Sequence, residues 1–352
     1  MSHPELGTGQ RLAWVDVAKG LCIVLVVMMH ATLGVEKATG TETGLHGFIV
    51  WAQPFRMPDF FLISGLFLAA RIDRPWRSYL DTKVVHFAYF YVLWLTIQFG
   101  MKAPGMVAES GATATVAEYL TGFFVPFGTL WFIYLLAVYF VVAKLLRPAP
   151  KWLVLGAAAA LHTFAPHTGV FIVDEFANRF VFFYAGYALA PAILAFADRL
   201  RLMPALALAL GLVVWAAINA AGVNAGIALT HGPDLLFSFV GIAAVIAFSV
   251  LVTSQTLGRV LAYCGRNSIA VYLAFTVFMG PARIVLLKLV GAEAATAIAL
   301  ASTFAGVTGA LALAWVVKGT PLGFLFTRPA RFRLTSGAGE AQASAPIRPA
   351  TA

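Results

Sequence analysis

The chain has 352 residues, of which 61% are hydrophobic and only 11% are charged, and its mean hydropathy is +0.87. Soluble globular domains carry about 25% charged residues, so this composition excludes an ordinary soluble protein and indicates an integral membrane protein. The net charge of +9 does not indicate a nucleic-acid partner, because the basic residues separate apolar segments instead of forming one basic face. With 2 cysteines, the chain cannot form a disulfide framework.

The apolar segments predict an all-α integral membrane bundle of about ten transmembrane helices. A helix needs about 20 mainly apolar residues to cross the hydrocarbon core of a bilayer. Segments of this kind lie near residues 15–35, 46–70, 80–101, 126–146, 151–166, 177–197, 202–222, 233–253, 265–289 and 293–317. The fifth segment is short, and Gly280 and Pro281 are expected to break the ninth before Arg283.

The positions of Lys and Arg predict that both chain termini are cytoplasmic, because cytoplasmic loops carry an excess of these residues. Most of the 24 cations then face the cytoplasm, and the exceptions are Lys37, Arg56, Lys102, Arg179, Arg283 and Lys288. The predicted organisation is a cytoplasmic N-terminal tail over residues 1–12, a transmembrane domain over 13–326 and a basic tail over 327–352. The end of that tail, rich in Ala, Gly, Ser and Pro, is predicted to be disordered.

Lys19 and His30 are predicted to share one face of the first apolar segment. Eleven steps of about 100° return to nearly the same side of a helix, with a rise of roughly 16 Å. His30 then lies deep in the bilayer, where ionisable groups are costly and commonly serve a reaction or a pathway. A simple hydrogen bond from His30 to a neighbouring helix is the alternative that the residues leave open.

The second apolar segment carries Arg56 and Asp59, which are three residues apart on one helix face. We expect the two side chains to pair, because pairing lowers the cost of both charges inside the membrane. Pro54 and Pro58 free backbone carbonyl groups nearby, and these need partners. The first two helices are therefore expected to border a polar pocket near the depth of His30.

Arg71, Arg74 and Arg77 follow the second segment in a short basic loop. Guanidinium groups present planar pairs of donors that suit phosphate oxygens, so this loop is a candidate anion site. Topology alone explains the positive charge equally well, because cytoplasmic loops are basic whether or not they bind a ligand.

Two later segments open on aromatic or polar motifs. Trp131 stands at the start of the fourth segment, where an interfacial aromatic anchor is an ordinary feature. Asn267, Ser268 and Tyr272 open the ninth, where helix capping by Asn267 or Ser268 is the simpler explanation.

The remaining histidines are predicted to be solvated at span ends and in loops, and they are His3, His46, His86, His162, His167 and His231. The sequence contains neither an H-E-x-x-H motif nor a G-x-S-x-G motif, and no metal site is expected.

Taken together, these segments resemble the acyltransferase 3 family of polytopic membrane enzymes, over residues from about 13 to 326. The start of the first segment, with Asp16, Lys19, Gly20 and then His30, is similar to that family's D-x-x-[RK]-G and [RK]-x10-H motifs.

Three further stretches carry the resemblance. The run 55–65 resembles the family's second-helix signature, and the pair Arg71 and Arg74 resembles its cytoplasmic R-x-x-R. The stretches 130–132 and 265–272 are weaker resemblances. Two positions depart from the pattern and point to an unusual substrate or to altered chemistry, since Phe275 stands near the place of a histidine in many relatives and Asp59 replaces an apolar residue.

The resemblance implies an O-acyltransferase of the bacterial cytoplasmic (inner) membrane, with ten transmembrane helices. Such an enzyme moves an acyl group, acetyl or succinyl in our expectation, from cytoplasmic acyl-CoA to a hydroxyl group of a sugar or glycan. Acyl-CoA is then a donor substrate, and no permanently bound cofactor is expected.

From the resemblance and from the predicted placement of these residues, we expect particular roles. The expected catalytic residues are His30, Arg56 and Asp59. We expect His30 to act as the general base, Arg56 to stabilise the oxyanion or hold the acceptor, and Asp59 to orient Arg56. The residues expected to bind CoA are Lys19, Arg71, Arg74 and Arg77. The residues expected to contact substrate are Asp16, Ser64, Trp131, Asn267 and Tyr272.

Two other classes of function remain open from the residues alone. A transporter or flippase with ten helices would carry an inverted repeat and matched broken helices, and no such sequence symmetry is visible. A non-catalytic membrane scaffold would use His30 and Arg56 only for hydrogen bonds within the bundle.

Overall fold

The computed structural model describes residues 12–164 and 167–334, and within these ranges it contains helices and no β-strand. The predicted all-α class is therefore confirmed for the described residues. The predicted tails over 1–11 and 335–352 lie outside them. The α-helices, in chain order, are α1 (Ala13–Thr39), α2 (His46–Trp51), α3 (Gln53–Leu66), α4 (Trp76–Leu80), α5 (His86–Ser110), α6 (Ala112–Thr121), α7 (Trp131–Leu145), α8 (Lys151–Phe164), α9 (Phe171–Ala188), α10 (Ala190–Arg201), α11 (Ala205–Asn224), α12 (Pro233–Val252), α13 (Thr256–Arg266), α14 (Ser268–Val290) and α15 (Ala295–Val316).

Seven described helical segments are long and apolar enough to cross a membrane, and there are eight if α9 and α10, bent by 74° to each other, count as one span. They include Trp76–Ser110, in which a π-helical turn over Asp81–Val85 joins α4 to α5. The chain is thus a multi-pass membrane protein. The count of about ten is not reached by this measure, because α3 and α8 have only 14 residues each and are shorter than a full span.

The expected break in the ninth segment was wrong, since α14 continues through Pro281 to Val290. Proline removes one backbone hydrogen bond, and membrane helices tolerate this because neighbouring groups satisfy the freed carbonyl.

Glycine brings α1 into direct backbone contact with α13. A Cβ atom added at Gly20 would overlap the carbonyl oxygen of Leu261, and one added at Gly265 would overlap the carbonyl oxygen of Asp16. Small residues let membrane helices approach closely and pack through their backbones. This contact fixes the helix that carries Lys19 and His30 against the short helix that leads into α14.

A second reciprocal glycine contact joins α3 to α9. A Cβ atom at Gly65 would overlap the carbonyl oxygen of Phe183, and one at Gly186 would overlap that of Leu62. The same packing rule applies to this pair. It holds α3, the helix of Arg56 and Ser64, in a fixed register along α9.

Buried aromatic side chains fill the space between α3, α7 and α9. Tyr139 of α7 contacts Phe61 of α3 and Phe183 of α9, with ring centroids 5.2 and 5.5 Å away. Its hydroxyl donates to the backbone oxygen of Glu175 at 3.0 Å, so the buried polar atom of this ring is satisfied.

Replacing Gly265 by alanine is expected to destabilise the fold, because the added methyl group meets backbone that cannot rotate away. Overpacking of this kind costs about 1–3 kcal/mol. The measurement is thermal unfolding of the detergent-purified protein by size-exclusion chromatography.

Gly211→Ala is the matched control, since it lies within α11 with no atom within 4 Å of the new Cβ. This variant should be neutral or slightly stabilised through helix propensity. Equal melting of the two variants would contradict the backbone contact.

Candidate active site

A cavity of about 220 Å³ lies between α1, α3, α5, α7 and α14. From α1 it is lined by Lys19, Ile23 and Val26, which lie on one helical stripe. His30 is the next residue on that stripe, one turn beyond Val26. The predicted alignment of Lys19 with His30 is therefore accompanied by a cavity that runs along the same face of α1.

Cations surround the end of the cavity next to Lys19, here called the Lys19 end. Lys19 and Lys83 both line the cavity. Their ammonium groups lie 5.7 Å from the ring centroid of Phe67 and 4.5 Å from that of Phe140, respectively. Arg71 and Arg74 are close enough to interact electrostatically with Lys83. Positive charge is thus concentrated at this end of the bundle, where an anion would be attracted.

Lys144 holds the Arg71–Arg74 loop in place from α7. Its ammonium group donates to the backbone oxygens of Ile72 at 2.5 Å and Arg74 at 2.7 Å. It also lies over the rings of Trp76 and Tyr79 and is nearly fully buried. The sequence presents Lys144 as one of many cytoplasmic cations. In the sequence, only the position of Lys144 in the last turn of an apolar helix indicates that it anchors this loop.

The two arginines of the loop keep their side chains available at the surface. Partial burial, and then the charge of Arg74, lower the pKa of the Arg71 guanidinium, which stays protonated as arginines in proteins do. Neither Arg71 nor Arg74 takes part in a side-chain hydrogen bond or ion pair among the described residues.

Arg77, unlike Arg71 and Arg74, makes a side-chain hydrogen bond within the part of the protein that the structure describes. Its Nε donates to the backbone oxygen of Leu334 at 3.1 Å. Asp81 is fully buried, pairs with Arg328 at 2.9 Å and accepts a hydrogen bond from the Leu334 N–H at 2.8 Å. The described part of the basic tail therefore packs against the start of the Trp76–Ser110 segment, and Arg77 belongs to that contact.

His30 is half-buried and lies against the ring of Phe275, with ring centroids 5.4 Å apart. Arg56 is close enough to His30 to interact with it electrostatically. Phe275 is the residue expected from the sequence to stand near the place of a histidine in many relatives. The departure thus places an apolar ring, and no second imidazole, beside the candidate base.

The expected pair between Arg56 and Asp59 was wrong. No ion pair joins these residues in the part of the chain that the structure describes. Asp59 instead accepts a hydrogen bond from the thiol of Cys22 at 3.0 Å, and Arg56 donates through Nη1 to the Ile49 oxygen at 3.0 Å. Helical side chains lean toward the N-terminus, so the long Arg56 side chain runs back to the preceding helix while the short Asp59 stays against α1.

Arg56 still has donor capacity, because its Nε is buried and makes no hydrogen bond. Arg283 of α14 is a second arginine with an unused donor. Its Nη1 packs against Gly34, one helical turn beyond His30 on the same face of α1, and its Nε is also buried without a partner. Arg56 and Arg283 thus each hold an unused buried donor, Arg56 within electrostatic reach of His30 and Arg283 against α1 one turn further along the helix.

Ser64 and Tyr272 both line the cavity. Ser64 donates to the Phe60 oxygen at 2.8 Å within its own helix, and the Tyr272 hydroxyl donates to the Thr129 oxygen. Trp131 does not line the cavity. Its ring centroid lies 5.0 Å from the guanidinium carbon of Arg179.

Asp16 and Asn267 line a second cavity of about 480 Å³ that also includes Lys19 and Ser268. The Asn267 amide donates to the Tyr263 oxygen at 2.9 Å, so it caps the end of α13 and makes no side-chain cap at the start of α14. Because Lys19 and Ser268 border both cavities, the two cavities adjoin at the Lys19 end.

The fold and the cavity define a class of protein, a helical multi-pass membrane protein with a mainly apolar cavity between its helices, which neither His30 nor Arg56 lines. A family model described as an acyltransferase domain matches residues 12–318, and the chain belongs to this acyltransferase 3 family. The chain is also 31% identical to "Inner membrane protein YcfT" of Escherichia coli (strain K12), over 39% of this chain and 44% of that relative. The match thus covers less than half of the relative's length. No solved structure matches the chain.

Lys144→Met is expected to loosen the loop between α3 and α4, because two carbonyl groups lose a charged donor. A hydrogen bond to a charged group is worth about 1.5–3 kcal/mol. The readouts are a lower melting temperature and faster amide hydrogen exchange over residues 68–75.

Arg147→Met is the control for that experiment, since its ion pair with Asp73 at 2.6 Å is largely exposed. Exposed pairs contribute about 0–1 kcal/mol, so this variant should melt near the wild-type temperature. If the exchange rates of the loop did not change in Lys144→Met, the anchoring role would be excluded.

Proposed function

We propose that this chain is an O-acyltransferase of the bacterial inner membrane, which moves an acyl group from cytoplasmic acyl-CoA to a hydroxyl of a sugar or glycan. Membership of the acyltransferase 3 family supports acyl transfer. The name of the Escherichia coli relative supports the inner membrane as its location. The observation that carries the proposal is the cavity along one stripe of α1, with cations at one end and His30 one turn beyond the other.

In this proposal the Lys19 end faces the cytoplasm and receives the donor. The nucleotide and its phosphates stay at the surface beside Arg71 and Arg74, with Lys19 and Lys83 at the entrance. Guanidinium forks suit phosphate oxygens, and the clustered charge attracts an anion before contact. The narrow cavity suits the thin pantetheine arm, which would carry the thioester toward His30.

His30 acts as the general base in the proposed reaction. Its imidazole takes the proton of the acceptor hydroxyl as that oxygen attacks the thioester carbonyl. The tetrahedral intermediate then collapses, the carbon–sulfur bond breaks, and the departing CoA thiolate takes the proton back from the imidazolium. Transfer is direct, since the hydroxyl of Ser64, a possible nucleophile, is bonded to its own helix.

Arg56 is the proposed donor to the oxyanion that forms on the carbonyl oxygen. A buried donor that is already fixed in place stabilises such a charge most effectively, because no reorganisation is needed. The hydrogen bond to the Ile49 oxygen fixes the Arg56 side chain, and its unused Nε is free to serve this role. Arg283 lies on the acceptor side of His30 in this scheme.

Replacing His30 by alanine is expected to lower kcat for acyl transfer by about 10²–10⁴-fold, the usual contribution of a general base. The KM for acyl-CoA should change little, because the phosphate-binding cations are distant from His30. The assay follows transfer of radiolabelled acetyl or succinyl groups from CoA in membranes that contain the acceptor.

His46→Ala is the control, since His46 lies at the opposite end of the bundle from Lys19 and contacts Glu36. It should keep wild-type activity. Full activity of His30→Ala would overturn the proposed base.

Arg71→Ala and Arg74→Ala are each expected to weaken CoA binding about tenfold at low salt, or about 1.4 kcal/mol. The loss should shrink as the salt concentration rises, because the contact is electrostatic and is screened. Binding of pantetheine, which lacks the nucleotide and its phosphates, should be unchanged in both variants.

Arg201→Ala serves as the control, because Arg201 is exposed and pairs with Asp198 on α10. Calorimetry on the detergent-purified protein measures all three variants. Unchanged CoA affinity in both loop variants would place the donor phosphates elsewhere.

A further inference from the structure

A cluster of two histidines and one aspartate lies at the bundle end opposite Lys19. His162 is in the last turn of α8, Asp234 is in the first turn of α12, and His231 precedes α12. One ligand-type atom from each of the three residues lies within 4.8 Å of the other two. The prediction that His162 is solvated was wrong, because the packing of α8 against α9 leaves its side chain only 4% exposed.

Both nitrogen atoms of the His162 ring lie against oxygen atoms. Its Nδ1 lies 2.7 Å from the backbone oxygen of Asn178, and its Nε2 lies 3.1 Å from Oδ1 of Asp234. Both partners are acceptors, whereas a neutral imidazole has one N–H donor and one lone pair. With Nδ1 directed at a backbone carbonyl, Nε2 is the nitrogen that faces the carboxylate, where an ion could be shared between them.

The surroundings of His162 suit a metal ligand. The Nδ1 contact with a backbone carbonyl is the outer hydrogen bond that commonly orients a metal-binding histidine and leaves Nε2 free to coordinate. His231 adds a second imidazole, with its ring centroid 6.1 Å from that of His162. This second imidazole places a further nitrogen ligand beside the His162–Asp234 pair, within 4.8 Å of both.

We propose that His162, His231 and Asp234 bind a divalent transition-metal ion, with Zn²⁺ as the best match to a set of two imidazoles and one carboxylate. Ligand atoms around tetrahedral Zn²⁺ lie about 3.3 Å apart. The His162–Asp234 distance of 3.1 Å already matches this spacing. His231 is exposed and can close the remaining distance by side-chain rotation.

The proposed ion would join three parts of the bundle. His162 contributes from α8, Asn178 orients it from α9, and Asp234 contributes from α12. Asp234 also accepts from the N–H of Gly232 at 3.0 Å, which fixes its carboxylate for coordination. The site is remote from His30 and from the donor cations, so its occupancy should affect stability independently of acyl transfer.

The test uses the full chain, purified in detergent with a tag that contains no histidine and stripped with a chelator. Titration with Zn²⁺ should show one equivalent bound per chain, and it should raise the melting temperature. Co²⁺ should give the visible absorption bands of a tetrahedral complex with nitrogen and oxygen ligands.

His231→Ala and Asp234→Asn should each lower the Zn²⁺ affinity at least tenfold. His231 is exposed, so its replacement should leave the metal-free protein folded, which size-exclusion chromatography verifies. His167→Ala is the matched control, because His167 lies beside His231 but bonds to Asp174 at 3.2 Å and is outside the proposed ligand set. Absence of Zn²⁺ binding, or binding that both ligand variants retain, would overturn the proposal.

Discussion

Backbone contact between helices through glycine is the constraint on which the rest of this bundle depends. Gly20 meets the Leu261 carbonyl and Gly65 meets the Phe183 carbonyl, and each glycine directly follows a residue that lines the cavity, Lys19 or Ser64. A helix that approaches another this closely cannot rotate or slide without a clash. The glycines therefore set the direction in which the neighbouring polar side chains point.

This constraint explains why motifs in the sequence combine a polar residue with glycine. In the Lys19-Gly20 and Ser64-Gly65 pairs, the glycine faces a neighbouring helix and the polar residue faces the cavity. Successive residues on a helix point about 100° apart, so one residue can serve packing while the residue before it serves the site. The motifs therefore reflect helix packing as well as chemistry.

Polar side chains within the bundle differ in how fully they are satisfied. Lys144 and Asp81 use their charges on backbone and ionic partners, and both stabilise segments at the Lys19 end. Arg56 and Arg283 each keep a buried Nε without a partner among the described residues. Unused donors are costly inside a membrane, and the one on Arg56, within electrostatic reach of His30, fits a site that a substrate completes.

The sequence by itself determined the membrane class, the family and the alignment of Lys19 with His30. These features depend on composition and on the periodicity of a single helix, which are local properties. Only the tertiary structure decided that Asp59 meets Cys22 instead of Arg56, that Lys144 anchors the Arg71–Arg74 loop, and that His162 is buried against Asp234. Each of these contacts joins residues on different helices, and helical periodicity gives the face on which a residue lies but not the helix that packs against it.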